Sequence, residues 1–279
     1  MSHLVLKSHA KVNIGLQIRN QRPDGYHYIH TIFQELDFHD TIRLEKRDSS
    51  CEFSANVDWL EKDDSNLCVR AWQKMVDTFE LGGVSIKLEK RIPTGGGLGG
   101  GSSNAATILK GLRQLYDLDV REDELEKLGI MLGADIPFFI RGGLQVGDGI
   151  GDQLTPLDAN IKGAFLLVVP DIHINTKWAY SESKKFLDGS RERINFTGFI
   201  RKENIPFELF ENDFETIVVP AYPEIGQIKD ALRAQGARFA SLSGSGSTVF
   251  GIFDEDADIK AAESHFSSRY NTFITFPTL

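Results

Sequence analysis

Residues 93–107 read PTGGGLGGGSSNAAT, with six glycines in two groups of three around Leu98. Upstream, Val84, Ile86 and Leu88 alternate at period two, as in a strand. Downstream, Ala105, Ile108, Leu109, Leu112 and Leu115 recur at helical spacing. Glycine loses more conformational entropy on folding than any other residue, so a run of it calls for a specific reason. An anion lying against bare backbone supplies one, because N–H groups without Cβ atoms can converge on phosphate oxygens. The helix that follows adds the positive end of its dipole, roughly half a charge. Ser102 and Ser103 stand where that helix begins, as N-cap candidates or as hydroxyls for a phosphate or its magnesium. A flexible linker is a poor reading of glycines set between a buried strand and an amphipathic helix. The lysine-bearing loop G-x-x-x-x-G-K-[ST] is absent. A formal G-x-G-x-x-G at Gly95, Gly97 and Gly100, with Asp117 or Asp119 roughly at ribose distance, leaves a dinucleotide open. The stretch therefore specifies a phosphate without saying which.

The 279-residue length allows one large domain or two smaller ones. Apolar content of 41% and charged content of 25% are those of an ordinary globular protein. A net charge of −9 argues against a nucleic-acid partner, which needs a basic surface, but leaves room for anionic small ligands. Cys51 and Cys68 are too few for a disulfide framework and lack metal spacing, so they read as small buried thiols in a reducing compartment. The longest apolar run, Ala164–Val169, is far too short to span a bilayer. A cytoplasmic protein with no membrane association is expected.

In chain order, Val12, Ile14, Leu16 and Ile18 alternate with Lys11, Asn13, Gly15 and Gln17. This strand puts Lys11 and Asn13 on one face about 7 Å apart; by spacing alone, that face reads as solvated. Pro23-Asp24-Gly25 is turn chemistry, with Tyr26 and His27 directly after it. His27 and His30 are spaced like a helical pair, but no carboxylate or cysteine close in sequence suggests a metal site. Asp63–Asn66 predicts a helix start, Leu67, Ala71, Met75 and Phe79 a buried stripe, and Gly82-Gly83 its end. Residues 122–128 form a further helix. In LGADIPFFIRGG, 132–143, Asp135 reads as an N-cap ahead of Pro137. The loop-rich region 147–156 suggests a boundary dividing residues 1–155 from 156–279. Beyond it, strands at 164–169, 238–241, 249–253 and 272–276 alternate with helices at 177–186, 223–234 and 257–268, which implies an α+β arrangement. SGSGST, 243–248, reads as a hairpin turn.

Four stretches stand in one order: AKVN at 10–13, DGYH at 24–27, the glycine stretch followed by GADIPFF at 133–139, and SLSGSGST at 241–248. That order resembles the family of galactokinase, homoserine kinase, mevalonate kinase and phosphomevalonate kinase, and within it the branch acting on a diphosphocytidyl acceptor. The resemblance covers most of the chain and thins between about 177 and 220. It implies an α+β, two-domain small-molecule kinase fold: an N-terminal α/β domain like domain 2 of ribosomal protein S5, and a ferredoxin-like C-terminal domain, with the site in the cleft.

Position by position, the resemblance implies that ATP phosphates lie on Pro93, Thr94, Gly95, Gly96, Gly97, Leu98, Gly99, Gly100, Gly101, Ser102 and Ser103. Asn66, Lys90 and Asn104 would flank the nucleotide. Lys11 and Asp135 match the catalytic pair. Tyr26 and His27 match residues that stack on and hydrogen-bond a cytosine, Thr176 and Tyr180 match the opposite wall, and Asn13 falls among the substrate contacts. ATP with magnesium is the implied cofactor set, with few protein ligands to the metal. A small molecule carrying a cytidine diphosphate group is the implied partner, for a monomer or homodimer. Two departures from the family pattern, His9 and Leu242, touch no implied catalytic position. A mevalonate- or homoserine-type kinase is the nearest alternative. A dinucleotide-binding oxidoreductase is weaker, since its glycine loop should follow the first strand and here about 90 residues precede it.

Overall fold

The computed structural model describes residues 2–159, 161–183, 194–202 and 204–278, which fall into two compact units. One comprises the chain up to Ala10, His39–Pro93 and Gly99–Gly142. The other comprises Lys11–Phe38, Thr94–Leu98 and the chain from Gly143. Two long strands, β1 (His3–Gln21) and β2 (His27–Arg47), contribute residues to both.

In the first unit, Thr41–Arg47 of β2 pairs antiparallel with β4 (Gly83–Glu89), and β3 (Cys51–Ala55) lies parallel to β4 on its other side. Four helices accompany these strands: α1 (Leu67–Phe79), α2 (Gly100–Tyr116), α3 (Glu122–Ile130) and α4 (Ile136–Arg141). The stripe predicted for α2 is buried in full, from Ala105 through Leu115. Each such leucine or isoleucine contributes about 1.5–3 kcal/mol of transfer free energy. At Gly111 the helix closes on the strands, and a Cβ there would strike the methyls of Leu6 and Leu44. The predicted stop of α1 at Gly82-Gly83 is corrected: Glu80 itself takes the left-handed conformation (φ 52°), its N–H bonding the Val76 carbonyl. Gly83 instead opens β4, where a side chain would strike the backbone of Ser49 and Ser50.

In the second unit, Thr31–Gln34 of β2 pairs antiparallel with β5 (Leu144–Asp148), which pairs with β6 (Gln153–Pro156). A separate antiparallel sheet has the order β10-β7-β9-β8, from β7 (Ala164–Val169), β8 (Phe239–Leu242), β9 (Val249–Phe253) and β10 (Asn271–Thr275). With α8 (Pro223–Ala234) between β7 and β8, and α9 (Ile259–Phe266) between β9 and β10, this is the ferredoxin-like order 4-1-3-2. The α+β expectation holds, and the apolar run 164–169 is explained by β7 lying inside the sheet with every residue buried. Shorter helices α5 (Thr176–Ser183), α6 (Phe196–Ile200) and α7 (Glu215–Ala221) fill the long connection from β7. The helix predicted for 177–186 is described to Ser183; its last residues lie outside the described ones.

Candidate active site

The glycine stretch keeps its predicted strand–loop–helix setting, with one shift of frame. Helix α2 begins at Gly100, and its N-cap is Gly99 in the left-handed conformation (φ 70°). Ser102 and Ser103 are therefore first-turn residues and not caps. The first intrahelical bond runs from the Ser103 N–H to the Gly99 carbonyl, so the N–H groups of Gly100, Gly101 and Ser102 precede the helical ladder. That is the anion-binding end of a helix. The dinucleotide reading loses its structural setting, because β4 has an antiparallel neighbour in β2 and is no strand of a parallel doubly wound sheet.

Within the first unit, Lys90 and Asn104, two of the residues expected to flank a nucleotide, are both tied to Asp40. Asp40 is wholly buried within β2, one residue before Thr41, where the pairing with β4 begins. Its Oδ1 accepts from the Arg91 N–H at 2.6 Å and the Ile92 N–H at 2.8 Å. Its Oδ2 accepts from Lys90 Nζ at 2.6 Å and Asn104 Nδ2 at 2.8 Å. Burial pushes the Lys90 ammonium below its usual range, against the pull of the Asp40 carboxylate. Lys90 also donates to the Ile92 carbonyl at 2.7 Å and lies over Gly100, where a Cβ would stand 2.9 Å from Nζ. Asn104 donates a second bond to Ser8 Oγ at 2.9 Å, and Ser8 Oγ is 2.8 Å from Ser103 Oγ. Asn66 caps α1: it accepts from the Cys68 N–H at 2.8 Å and donates to the Glu61 carbonyl at 2.7 Å. Asp135 occupies the N-cap position of α4, half-buried, and makes no side-chain capping bond. The predicted N-cap position holds, without a capping bond from the carboxylate.

Within the second unit, the solvated face expected for Lys11 and Asn13 is instead buried, at 5% and 2% exposure. Lys11 Nζ donates to Asn13 Oδ1 at 2.7 Å, Asn13 Nδ2 to Thr31 Oγ1 at 3.0 Å, and Thr31 Oγ1 to the Gly15 carbonyl at 2.7 Å. The Lys11 N–H bonds the Leu98 carbonyl at 3.0 Å, tying β1 to the glycine stretch. Spacing missed this because a strand covered on both faces keeps the alternation of one covered on a single face. The loop 243–248 does join the antiparallel β8–β9 hairpin, but it does more than turn. Ser243 Oγ donates to the Gly97 carbonyl at 2.9 Å, and the Thr248 N–H to the Gly96 carbonyl at 3.1 Å. A Cβ on Gly244 would lie 3.3 Å from Asn13 Oδ1 and 3.7 Å from Lys11 Nζ. Asn212 holds the loop, donating to the carbonyls of Leu242 and Gly244, each at 2.8 Å. No spacing rule flags Asn212 or Asp40, whose partners are distant in sequence.

The residues expected to hold the acceptor divide. His27 is buried and its ring stacks on Tyr180 at 5.2 Å and 16°. Tyr26 is exposed, at 59%. Thr176 Oγ1 is 3.0 Å from Ser245 Oγ, which brings the start of α5 to the same loop. His30 pairs through Nδ1 with Asp148 at 2.8 Å.

Two family models match the chain, the GHMP kinases N terminal domain over residues 66–143 and the GHMP kinases C terminal over residues 202–272. The chain belongs to the GHMP kinase family, enzymes that phosphorylate small molecules with ATP. Its relatives include the 4-diphosphocytidyl-2-C-methyl-D-erythritol kinase of Chlorobaculum tepidum, 40% identical across 99% of this chain and 98% of that protein. The enzyme of the same name from Prosthecochloris aestuarii is 38% identical over the same shares. A crystal structure of 4-(cytidine 5'-diphospho)-2C-methyl-D-erythritol kinase superposes with a TM-score of 0.84 at 31% identity, covering 98% of each chain.

Proposed function

We propose that this kinase transfers the γ-phosphoryl group of ATP to the 2-hydroxyl of 4-diphosphocytidyl-2-C-methyl-D-erythritol, a step towards isoprenoid precursors. The observation that carries the reading is likeness to kinases of that name at 38–40% identity along nearly the whole chain. Residues 1–155 are read as the nucleotide-binding part and 156–279 as the ferredoxin-like part, and the two family models fall on either side of that division.

Phosphoryl transfer passes through a loose transition state, so the protein chiefly positions groups and stabilises charge. The N–H groups at the start of α2 suit the triphosphate, with Pro93–Ser103 around it and Asn66, Lys90 and Asn104 at its flank. Lys90 and Asn104 act there through the framework that Asp40 holds. Asp135 is the base that takes the acceptor's proton, and Lys11, oriented by Asn13, meets the hydroxyl or the transferring group. Tyr26, His27, Thr176 and Tyr180 receive the cytosine.

Magnesium would neutralise the phosphate charge when bound. Hydroxyls at Ser102 and Ser103 beside a phosphate fit an ion that keeps most of its waters and takes few protein ligands. Among the described residues no helix is long and apolar enough to cross a membrane. A cytoplasmic monomer or homodimer completes the proposal.

The test is phosphoryl transfer from ATP to a panel of the diphosphocytidyl methylerythritol, mevalonate and homoserine. Turnover is expected with the first alone, and Asp135→Asn should lower kcat by about 10²–10⁴-fold with ATP affinity little changed. Preference for mevalonate or homoserine would overturn the substrate, and unchanged turnover in the variant would remove Asp135 from the mechanism.

A further inference from the structure

A buried polar chain leads from the carboxylate of Asp40 to the hydroxyl of Ser103, and none of its bonds is made between neighbours in sequence. Asp40, Ser8, Asn104 and Ser103 are at most 3% exposed. The donors and acceptors have one consistent assignment. The Asn104 amide has two protons, one on Asp40 Oδ2 at 2.8 Å and the other on Ser8 Oγ at 2.9 Å. Because Asp40 is a pure acceptor when ionised, Asn104 must present its nitrogen to it, and the amide cannot flip. Ser8 Oγ, receiving from Asn104, still carries its own proton in a wholly buried place. Ser103 Oγ, 2.8 Å away, is the acceptor within reach of that proton. The chain of bonds thus has a direction. It begins at a carboxylate and ends with Ser103 receiving from Ser8, so that Ser103 has its own O–H left to donate.

A serine in the first turn of a helix would otherwise rotate its hydroxyl among three wells or bond back to the preceding turn. We propose that Ser8 and Asp40 are positioning residues for the nucleotide: through Asn104 they fix the Ser103 hydroxyl as a donor to a phosphate oxygen at the start of α2. The inference rests on the assignment of Pro93–Ser103 to ATP above. Asp40 has a second part in it, since its other oxygen accepts the N–H groups of Arg91 and Ile92, the residues that lead into the glycine stretch. One buried carboxylate therefore sets both the approach to the loop and the polarity of the serine beyond it.

The experiment is a kinetic double-mutant cycle on the full chain with Ser8→Ala, Ser103→Ala and the double variant. The KM for ATP–magnesium and the KM for the acceptor are measured, together with direct ATP binding by calorimetry. Loss of a hydrogen bond to a charged oxygen is worth about tenfold or more, so Ser103→Ala should raise the ATP KM by roughly that factor. Ser8→Ala should raise it by a similar or smaller factor, and the double variant should be no worse than Ser103→Ala alone, with the acceptor KM unmoved throughout. A role confined to holding the fold would lower the melting temperature and leave the ATP KM alone, or make the two effects multiply; either result overturns the proposal. Asp40→Asn, which can invert the amide of Asn104, is expected to reproduce the Ser8→Ala effect on the ATP KM. If it does not fold, the serine cycle still decides. Should the wild-type chain bind no ATP, the assignment of the loop fails; if it binds ATP and Ser103→Ala binds as tightly, only the present inference falls.

Discussion

The hydroxyl of Ser243 donates to the carbonyl of Gly97 at 2.9 Å, and the carbonyl of Ser243 occupies the space where a side chain on Gly97 would begin. Residues 146 apart in sequence are thus interlocked backbone to backbone, with Gly97 held at φ +77°. Two penalties fall on any substitution there. A left-handed conformation costs an alanine roughly 1–2 kcal/mol, and the carbonyl must also give way. Gly97→Ala should lose at least about 2 kcal/mol of stability. Gly101 is the control: it is helical, and its Cβ would make an ordinary 3.7 Å contact with Leu67. Gly101→Ala should be neutral or gain up to about 1 kcal/mol. Thermal or urea unfolding of the two variants checks this, and equal losses would refute the interlock.

His27 and Tyr180 stack on each other at 5.2 Å, so the two rings proposed for the cytosine belong to one aromatic cluster within one unit. Tyr180 also packs edge-on against Phe214. Stacking of a base on an aromatic ring is worth about 1–3 kcal/mol. Tyr180→Ala should therefore raise the KM for the cytidine-bearing acceptor by about 5- to 150-fold with the ATP KM steady. Tyr180→Phe keeps the ring and should stay within a few-fold of wild type. A Tyr180→Ala enzyme with an ordinary acceptor KM would remove this wall from the site.

Burial raises both thiols, Cys68 to about 12 and Cys51 to about 11, from an ordinary value of 9.0. The native state holds them protonated where the unfolded chain would ionise. The stability this implies is intact below pH 9 and is lost as pH rises towards 11–12, by about 1.4 kcal/mol per unit for a fully buried thiol. Denaturant midpoints at pH 7.5 and 10 should fall more steeply for the wild type than for a Cys51→Ser, Cys68→Ala variant. A thiol reagent at pH 8 should find both groups slow to react until the chain is unfolded. Rapid labelling of native Cys68 would contradict the burial on which the argument rests.

Much of this was legible in the residues. The glycine stretch was legible as a loop between a period-two strand and a 3.6-period helix, and α2 begins two residues before Ser102, the first of the serines that marked it. The apolar run 164–169 is an inner strand of a four-stranded sheet whose strands could be read along the chain, while its ferredoxin-like order was implied only by the family resemblance. Local chemistry carried these features: glycine's freedom from a Cβ, hydrophobic periodicity, and turn residues between runs.

What the chain alone determined is where backbone is bare and which faces are apolar, because both are properties of neighbours in sequence. Which polar groups are buried together was decided by tertiary structure. Asp40 reaches Lys90 and Asn104, Ser8 reaches Ser103, and Asn212 reaches the loop after β8, each across at least 30 residues. The alternation of β1 placed Lys11 and Asn13 on one face, but only the packing of strand against loop removed that face from water. A buried polar group must find its partner wherever the fold brings one, and the cost of leaving it unpaired acts through space, where sequence spacing has no hold.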